Sequence, residues 1–160
     1  MRWEGRRRIT KMHQQCHAET GRTDAASWAA EVPMNKTEFL ARVQAAGELS
    51  SAKDAQRWSE AVLTALVDLA PDSETRRQFI TQLPGFLKAP LRGKAPRTLL
   101  MDHEGLLQRI GAALGTHASE AERALTCVWS VLRESISAGE IADFQARVPH
   151  DVASHLAGLA

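Results

Sequence analysis

Apolar residues recur at intervals of three and four from Phe39 to the end of the chain. This spacing places side chains on one face of a helix and predicts a succession of amphipathic helices. Glycine, proline and N-capping residues interrupt the pattern at intervals. In chain order, the interruptions are Gly47, Ser50-Ser51, Pro71-Asp72-Ser73, Leu83-Pro84, Asp102, Gly115-Thr116, Ser137–Gly139 and Pro149. The pattern therefore predicts an all-α protein.

The order of these helices and interruptions occurs twice. Matched positions differ by 67 at Leu40 and Leu107, and by 65 at Phe79 and Phe144. The difference changes only at predicted loops, which tolerate insertions and deletions. We therefore predict two tandem repeats of a unit with three or four helices.

A unit of about 55 residues is marginally stable alone, so we expect the two repeats to bury each other's apolar faces. The predicted fold is one pseudo-twofold helical bundle, in which residues 34–91 form repeat 1, 92–101 a linker and 102–160 repeat 2. The predicted core consists of Leu40, Val43, Trp58, Val62, Leu66, Phe79, Leu83, Leu107, Ile110, Val128, Leu132, Phe144 and Val148.

Residues 1–33 follow neither helical nor strand periodicity and are rich in polar residues. A segment of this kind buries too little apolar surface to offset its chain entropy. We predict a disordered extension and interpret Met34 as the natural start of the protein. A transit peptide is the alternative, although this segment contains acidic residues that such peptides lack.

The apolar frame resembles a known family. Glu38-Phe39-Leu40-x-x-Val43, Ala61-Val62-Leu63-x-x-Leu66 and Phe79-x-x-x-Leu83-Pro84, present in both halves, are similar to the bacterial proteins of domain of unknown function 2267. The resemblance implies tandem helical repeats and brings no established activity. Members often have an aromatic-rich stretch after the first Leu-Pro step, whereas residues 88–97 here contain no aromatic residue.

Charge and composition argue against several functions. The net charge is +1, aromatic residues make up 5% of the chain, and Tyr is absent. The protein therefore lacks both an overall field toward polyanions and many surfaces on which bases stack. Because no apolar run reaches about 20 residues, we expect no membrane span and a cytoplasmic location. We also expect no nucleic-acid binding, although four cations in the linker or just before it are candidate anion contacts: Lys88, Arg92, Lys94 and Arg97.

Ligand-type and acid–base residues occur in three short groups. His13, Cys16 and His17 lie close together, but within the segment predicted to be disordered. Asp102-His103-Glu104 is interpreted as a helix N-terminus, because neighbouring helical positions point in different directions. Asp151 and His155 are four apart and are interpreted as a surface pair. We therefore predict no catalytic residue, metal site or cofactor, and a protein that is not an enzyme.

Four arginines occupy matched positions in the two halves: Arg42, Arg57, Arg109 and Arg123. They are interpreted as flanking residues that pair with neighbours such as Asp54 and Glu120; a symmetric anion site is the alternative. Trp58 and Trp129 are interpreted as core residues rather than ligand contacts.

The sequence favours a helical interaction or structural module that acts alone, as a homodimer or with another protein. The alternatives are anion or nucleic-acid binding through the linker, and a small-ligand site between the repeats.

Overall fold

A computed structural model describes residues 33–95, the first half of the folded region, and residues 97–159, the second half. Within these ranges, the chain forms α-helices, one short 3₁₀ helix and no strands, which confirms the predicted all-α class. The helices of the first half are α1 (Lys36–Ala46), α2 (Ala52–Asp68), α3 (Ser73–Gln82) and α4 (Gly85–Lys88), followed by the 3₁₀ helix Ala89–Leu91. Those of the second half are α5 (His103–Leu114), α6 (Ala118–Ser135), α7 (Ala138–Gln145) and α8 (His150–Gly158).

Side-chain caps set the starts of several helices, as the sequence predicts. The Asp72 carboxylate accepts a 2.7 Å hydrogen bond from the backbone N–H of Thr75, and Asp102 accepts one of 2.8 Å from Gly105. Ser51 caps α2 in the same way. These bonds satisfy N–H groups that have no partner within their own helix. At the other end of α5, Gly115 adopts a left-handed conformation with φ of 70°.

The two longest helices, α2 and α6, lie at the centre of the described region. α2 contacts α1, α3, α5 and α6, and α6 also contacts α1 and α5. The core residues named from the sequence are all buried, at 8% exposure or less. Phe79 of α3 and Phe144 of α7 stack with ring centroids 4.1 Å apart. The indole of Trp129 donates a buried 3.1 Å hydrogen bond to the carbonyl of Leu156.

The Leu-Pro and Val-Pro steps interrupt the helices as the sequence predicts. Leu83 and Val148 follow α3 and α7, because each precedes a proline that disfavours helical backbone. Residues 92–95 and 97–101 form the connection to α5, and the backbone N–H of Leu99 donates a 2.9 Å hydrogen bond to the carbonyl of Asp68. Nearly all of the extension predicted for residues 1–33 lies outside the described residues.

Candidate functional site

A groove of about 500 Å³ lies between α2 and α5. Its walls come from both helices and combine apolar with polar side chains in equal number, and the polar ones include more cations than carboxylates. The apolar wall residues are Ala61, Ala65, Ala112, Ala113 and Leu114. The polar lining residues are Arg57, Glu60, Thr64, Lys94 and Arg109.

A buried carboxylate holds one of these cations in place. Asp68 is 3% exposed and accepts a 3.0 Å hydrogen bond from Arg76 and a further one from Arg109. Two guanidinium groups therefore compensate the single charge of Asp68, as a buried ion requires. The Nε of Arg109 is buried and has no hydrogen-bond partner among the described residues. Arg109 thus retains a donor atom that no described residue satisfies.

The other two cations of the groove bind neutral groups. Arg57 donates to the carbonyl of Leu114 at 3.4 Å, and Lys94 Nζ donates to Thr64 Oγ1 at 2.9 Å. Within the described part of the chain, neither residue forms an ion pair with a carboxylate. Glu60 is the single carboxylate in the lining. The groove therefore presents positive charge that is only partly neutralised.

Arg42 and Arg123, the two matched arginines that do not line the groove, have carboxylate partners. Arg42 contacts both Glu38 and Glu134, and Arg123 contacts Glu48 at 3.1 Å. Arg123 also donates to the carbonyl of Gly47 at 2.7 Å.

The expected ion pairs with Asp54 and Glu120 are wrong for all four arginines. The cause is that each side chain crosses to a partner in the other half of the folded region.

The structure separates the four linker cations. Lys94 lines the groove. Lys88 is the last residue of α4, and Arg92 and Arg97 are exposed residues that do not line the groove. Sequence reasoning thus identified one groove residue through the linker and two through the matched arginines. It missed Asp68 and Arg76, although a lone acid in the apolar run Leu66-Val67-Asp68-Leu69 is a signal of a buried ion.

A second cluster joins three helices of the second half. His155 Nε2 lies 2.9 Å from Oε1 of Glu122, and His103 Nε2 lies 3.6 Å from Oε2 of the same carboxylate. The two imidazole rings face each other with centroids 3.8 Å apart. Sequence reasoning missed this cluster, because its members come from different helices and follow no single-helix spacing.

The contacts of several acidic residues and histidines agree only in part with those predicted from the sequence. Asp102 and Glu104 lie at the start of α5 as expected, but His103 contacts Glu122 and His155 instead. The expected Asp151–His155 pair is wrong, since Asp151 accepts a 2.7 Å hydrogen bond from the backbone N–H of His103. The His13, Cys16 and His17 group lies outside the described residues.

The two tryptophans named in the sequence analysis are buried, and so is Cys127. Trp58 and Trp129 have 5% and 0% exposure, in agreement with their interpretation as core residues. Cys127 packs in α6, where burial raises the pKa of its thiol. A membrane span would need a longer and more apolar helix than any of those described.

Comparison with known proteins identifies a family. No curated protein matches the chain. The family model described as "Uncharacterized conserved protein (DUF2267)" matches residues 36–155, which is most of the 160-residue sequence. This match confirms the resemblance seen in the apolar frame of both halves. The chain therefore belongs to the DUF2267 family of uncharacterized conserved proteins.

Proposed function

We propose that this protein is a non-catalytic helical module that binds a small organic anion in the groove between α2 and α5. The observation that carries the proposal is the convergence of Arg57, Lys94 and Arg109 on one groove, in which Glu60 is the single carboxylate. Arg57 and Lys94 bind neutral oxygens rather than carboxylates. An anionic ligand would supply the missing countercharge.

The dimensions and walls of the groove support a small molecule. Its volume of about 500 Å³ falls within the range of ligand pockets, and its lining combines apolar side chains with polar groups that can orient a ligand. The alanine side chains offer contact to a short apolar body, while Arg57 and Lys94 offer charged donors to a phosphate or carboxylate.

We further infer that the two halves are tandem repeats related by a pseudo-twofold axis. Reciprocal contacts support this, because a twofold interface requires that if one position contacts a second, their equivalents do so too. Arg42 contacts Glu134, and Arg109 contacts Asp68 at the matched positions.

A second reciprocal pair of contacts agrees with this axis. Arg57 donates to the carbonyl of Leu114, and Arg123 donates to the carbonyl of Gly47 at the matched positions. Phe79 stacks on its own counterpart, Phe144, as two equivalent residues would across the axis. The groove then lies on one side of the junction between the repeats.

A large protein partner has less support. Among the described residues, Leu100 is the single large apolar side chain that is strongly exposed, at 88%. Docking surfaces for a second copy or another protein usually include a contiguous apolar patch. A homodimer or protein complex thus stays a prediction from the sequence.

The test is an NMR titration of the ¹⁵N-labelled full chain with phenyl phosphate, which combines a dianionic head with an apolar body. We expect saturable shifts of α2 and α5 amides near Thr64 and Arg109, weakened in Lys94→Gln. We also expect phenyl phosphate to remain intact after prolonged incubation. Arg92→Gln is the matched control, because it removes an exposed cation of the same connection outside the groove. Unsaturable shifts, or equal weakening in both variants, contradict the proposal.

A further inference from the structure

We propose that His103, Glu122 and His155 form a binding site for a divalent transition-metal ion such as Zn²⁺. Each ligand comes from a different helix of the second half: His103 is the first residue of α5, Glu122 lies in α6, and His155 lies in α8. The ligand atoms of the three residues all lie within 4.8 Å of one another. The site is separate from the groove between α2 and α5, which these residues do not line.

The distances between the ligand atoms fit a tetrahedral ion. With bonds of about 2.0–2.1 Å, two ligands of a tetrahedral Zn²⁺ lie about 3.3 Å apart. The two nitrogen-to-carboxylate distances, which run to the two oxygens of Glu122, are 2.9 Å and 3.6 Å, one on either side of that value. Since all the ligand atoms lie within 4.8 Å of one another, side-chain rotations that close the widest gap would bring the three groups to bonding distance.

The donor set is one that transition metals prefer. Imidazole nitrogen suits Zn²⁺ and its first-row neighbours, and two histidines with one carboxylate form a recurrent three-ligand set. Three protein ligands leave a fourth position for water or another small ligand. The single carboxylate partly compensates the double charge of the ion.

The described residues supply no hydrogen-bond partner for the two histidine nitrogens. Nε2 of His103 and Nε2 of His155 are both buried and lack a hydrogen-bond partner of acceptable geometry among the described residues. Buried polar atoms usually have a partner, so two orphaned nitrogens beside one carboxylate indicate a missing ligand. Asp151 holds the start of α5 through the backbone N–H of His103, which orients the first ligand.

The first half lacks an equivalent site. In the proposed repeat alignment, His103, Glu122 and His155 correspond to Lys36, Gln56 and Pro90. Those three residues line a different cavity of about 260 Å³ and supply no comparable set of metal ligands. The cluster is therefore a property of the second half alone, rather than a requirement of the shared helical packing.

The test is calorimetric titration of the full chain with Zn²⁺, together with the visible absorption of the Co²⁺ form. Because His13, Cys16 and His17 are also ligand-type residues, all measurements use the background His13→Ala/Cys16→Ser/His17→Ala. We expect one ion per chain, a higher melting temperature with Zn²⁺, and a Co²⁺ spectrum of low-symmetry coordination. His155→Ala should weaken binding by about 100-fold or more, because it removes a direct ligand.

Two further variants make the outcome decisive. His117→Ala removes an exposed histidine at the start of α6 and should bind Zn²⁺ like the background. Glu122→Gln keeps the shape of the carboxylate ligand and should weaken binding even if His155→Ala folds poorly. The proposal is overturned if the background binds no Zn²⁺ stoichiometrically, or if Glu122→Gln binds as tightly as His117→Ala.

Discussion

The contacts between the two halves of the folded region fall into two matched sets, which surround their arginines differently. In the set at the groove, called the groove side, Arg109 contacts Asp68, whose side chain is 5% exposed. In the matched set, called the exposed side, Arg42 contacts Glu134, whose side chain is 49% exposed. Charge compensation differs as well, because Arg123 has Glu48 as a partner whereas Arg57, among the described residues, donates to a carbonyl.

The difference is what the proposed groove site rests on. On the exposed side, water screens the ions and both arginines have carboxylate partners, so the contacts add little stability. On the groove side, burial makes the loss of either partner of the Asp68 pair costly, and Arg57 and Lys94 have no carboxylate partner among the described residues. In the proposed repeat arrangement, the two copies therefore share their packing while the proposed site forms in one.

The largest expected effect concerns the stack of Phe79 and Phe144, which joins the two halves. Phe79→Ala and Phe144→Ala should each lower the free energy of unfolding by about 3–5 kcal/mol, because each removes a buried ring. Urea denaturation followed by circular dichroism measures both values. If one variant is nearly as stable as the unmodified protein, the two residues are not equivalent and the repeat alignment is wrong.

The next effect separates the two sides. Asp68→Asn should cost about 3 kcal/mol, since it leaves the guanidinium groups of Arg76 and Arg109 without a buried countercharge. Glu134→Gln, the matched change on the exposed side, should alter stability little. The same denaturation experiment compares them. Equal losses in the two variants would show that burial does not distinguish the two ion pairs.

A smaller effect distinguishes two helix caps at matched positions, Asp72 of α3 and Ser137 of α7. The hydrogen bond from the Thr75 backbone N–H lowers the pKa of Asp72 below its ordinary value of 3.8. The cap therefore stabilises the fold above that pH and loses this contribution as the pH falls through the lowered pKa. Asp72→Ser should flatten the decline in melting temperature below pH 4. An unchanged pH profile would show that the carboxylate does not act as a titrating cap.

Much of the fold could be predicted from the sequence because its signals are local. Caps such as Ser51 and Asp102, together with the Leu-Pro step, set helix boundaries through contacts a few residues away. Apolar spacing identified core positions such as Val62 and Phe144, since a helix of this kind has one buried face.

The candidate sites could not be predicted in the same way. The partners of Arg57, Arg109 and Arg123 lie 41 to 76 residues away, at places that only the packing of helices brings together. The same holds for His155, for which the spacing of four residues from Asp151 predicted a different and wrong pair. Helical periodicity indicates which face of a helix is buried, but it does not indicate which other helix packs against that face.

The most direct test of the binding groove is a calorimetric comparison of Arg57→Gln with Arg123→Gln, using phenyl phosphate as the ligand. The two changes are matched, because each removes a cation and one hydrogen bond to a carbonyl of the other half. We predict that Arg57→Gln weakens binding by about tenfold or more, as expected for a lost charged hydrogen bond, while Arg123→Gln binds like the unmodified protein. Equal weakening in both variants, or no effect of Arg57→Gln, would contradict an anion site in the groove between α2 and α5.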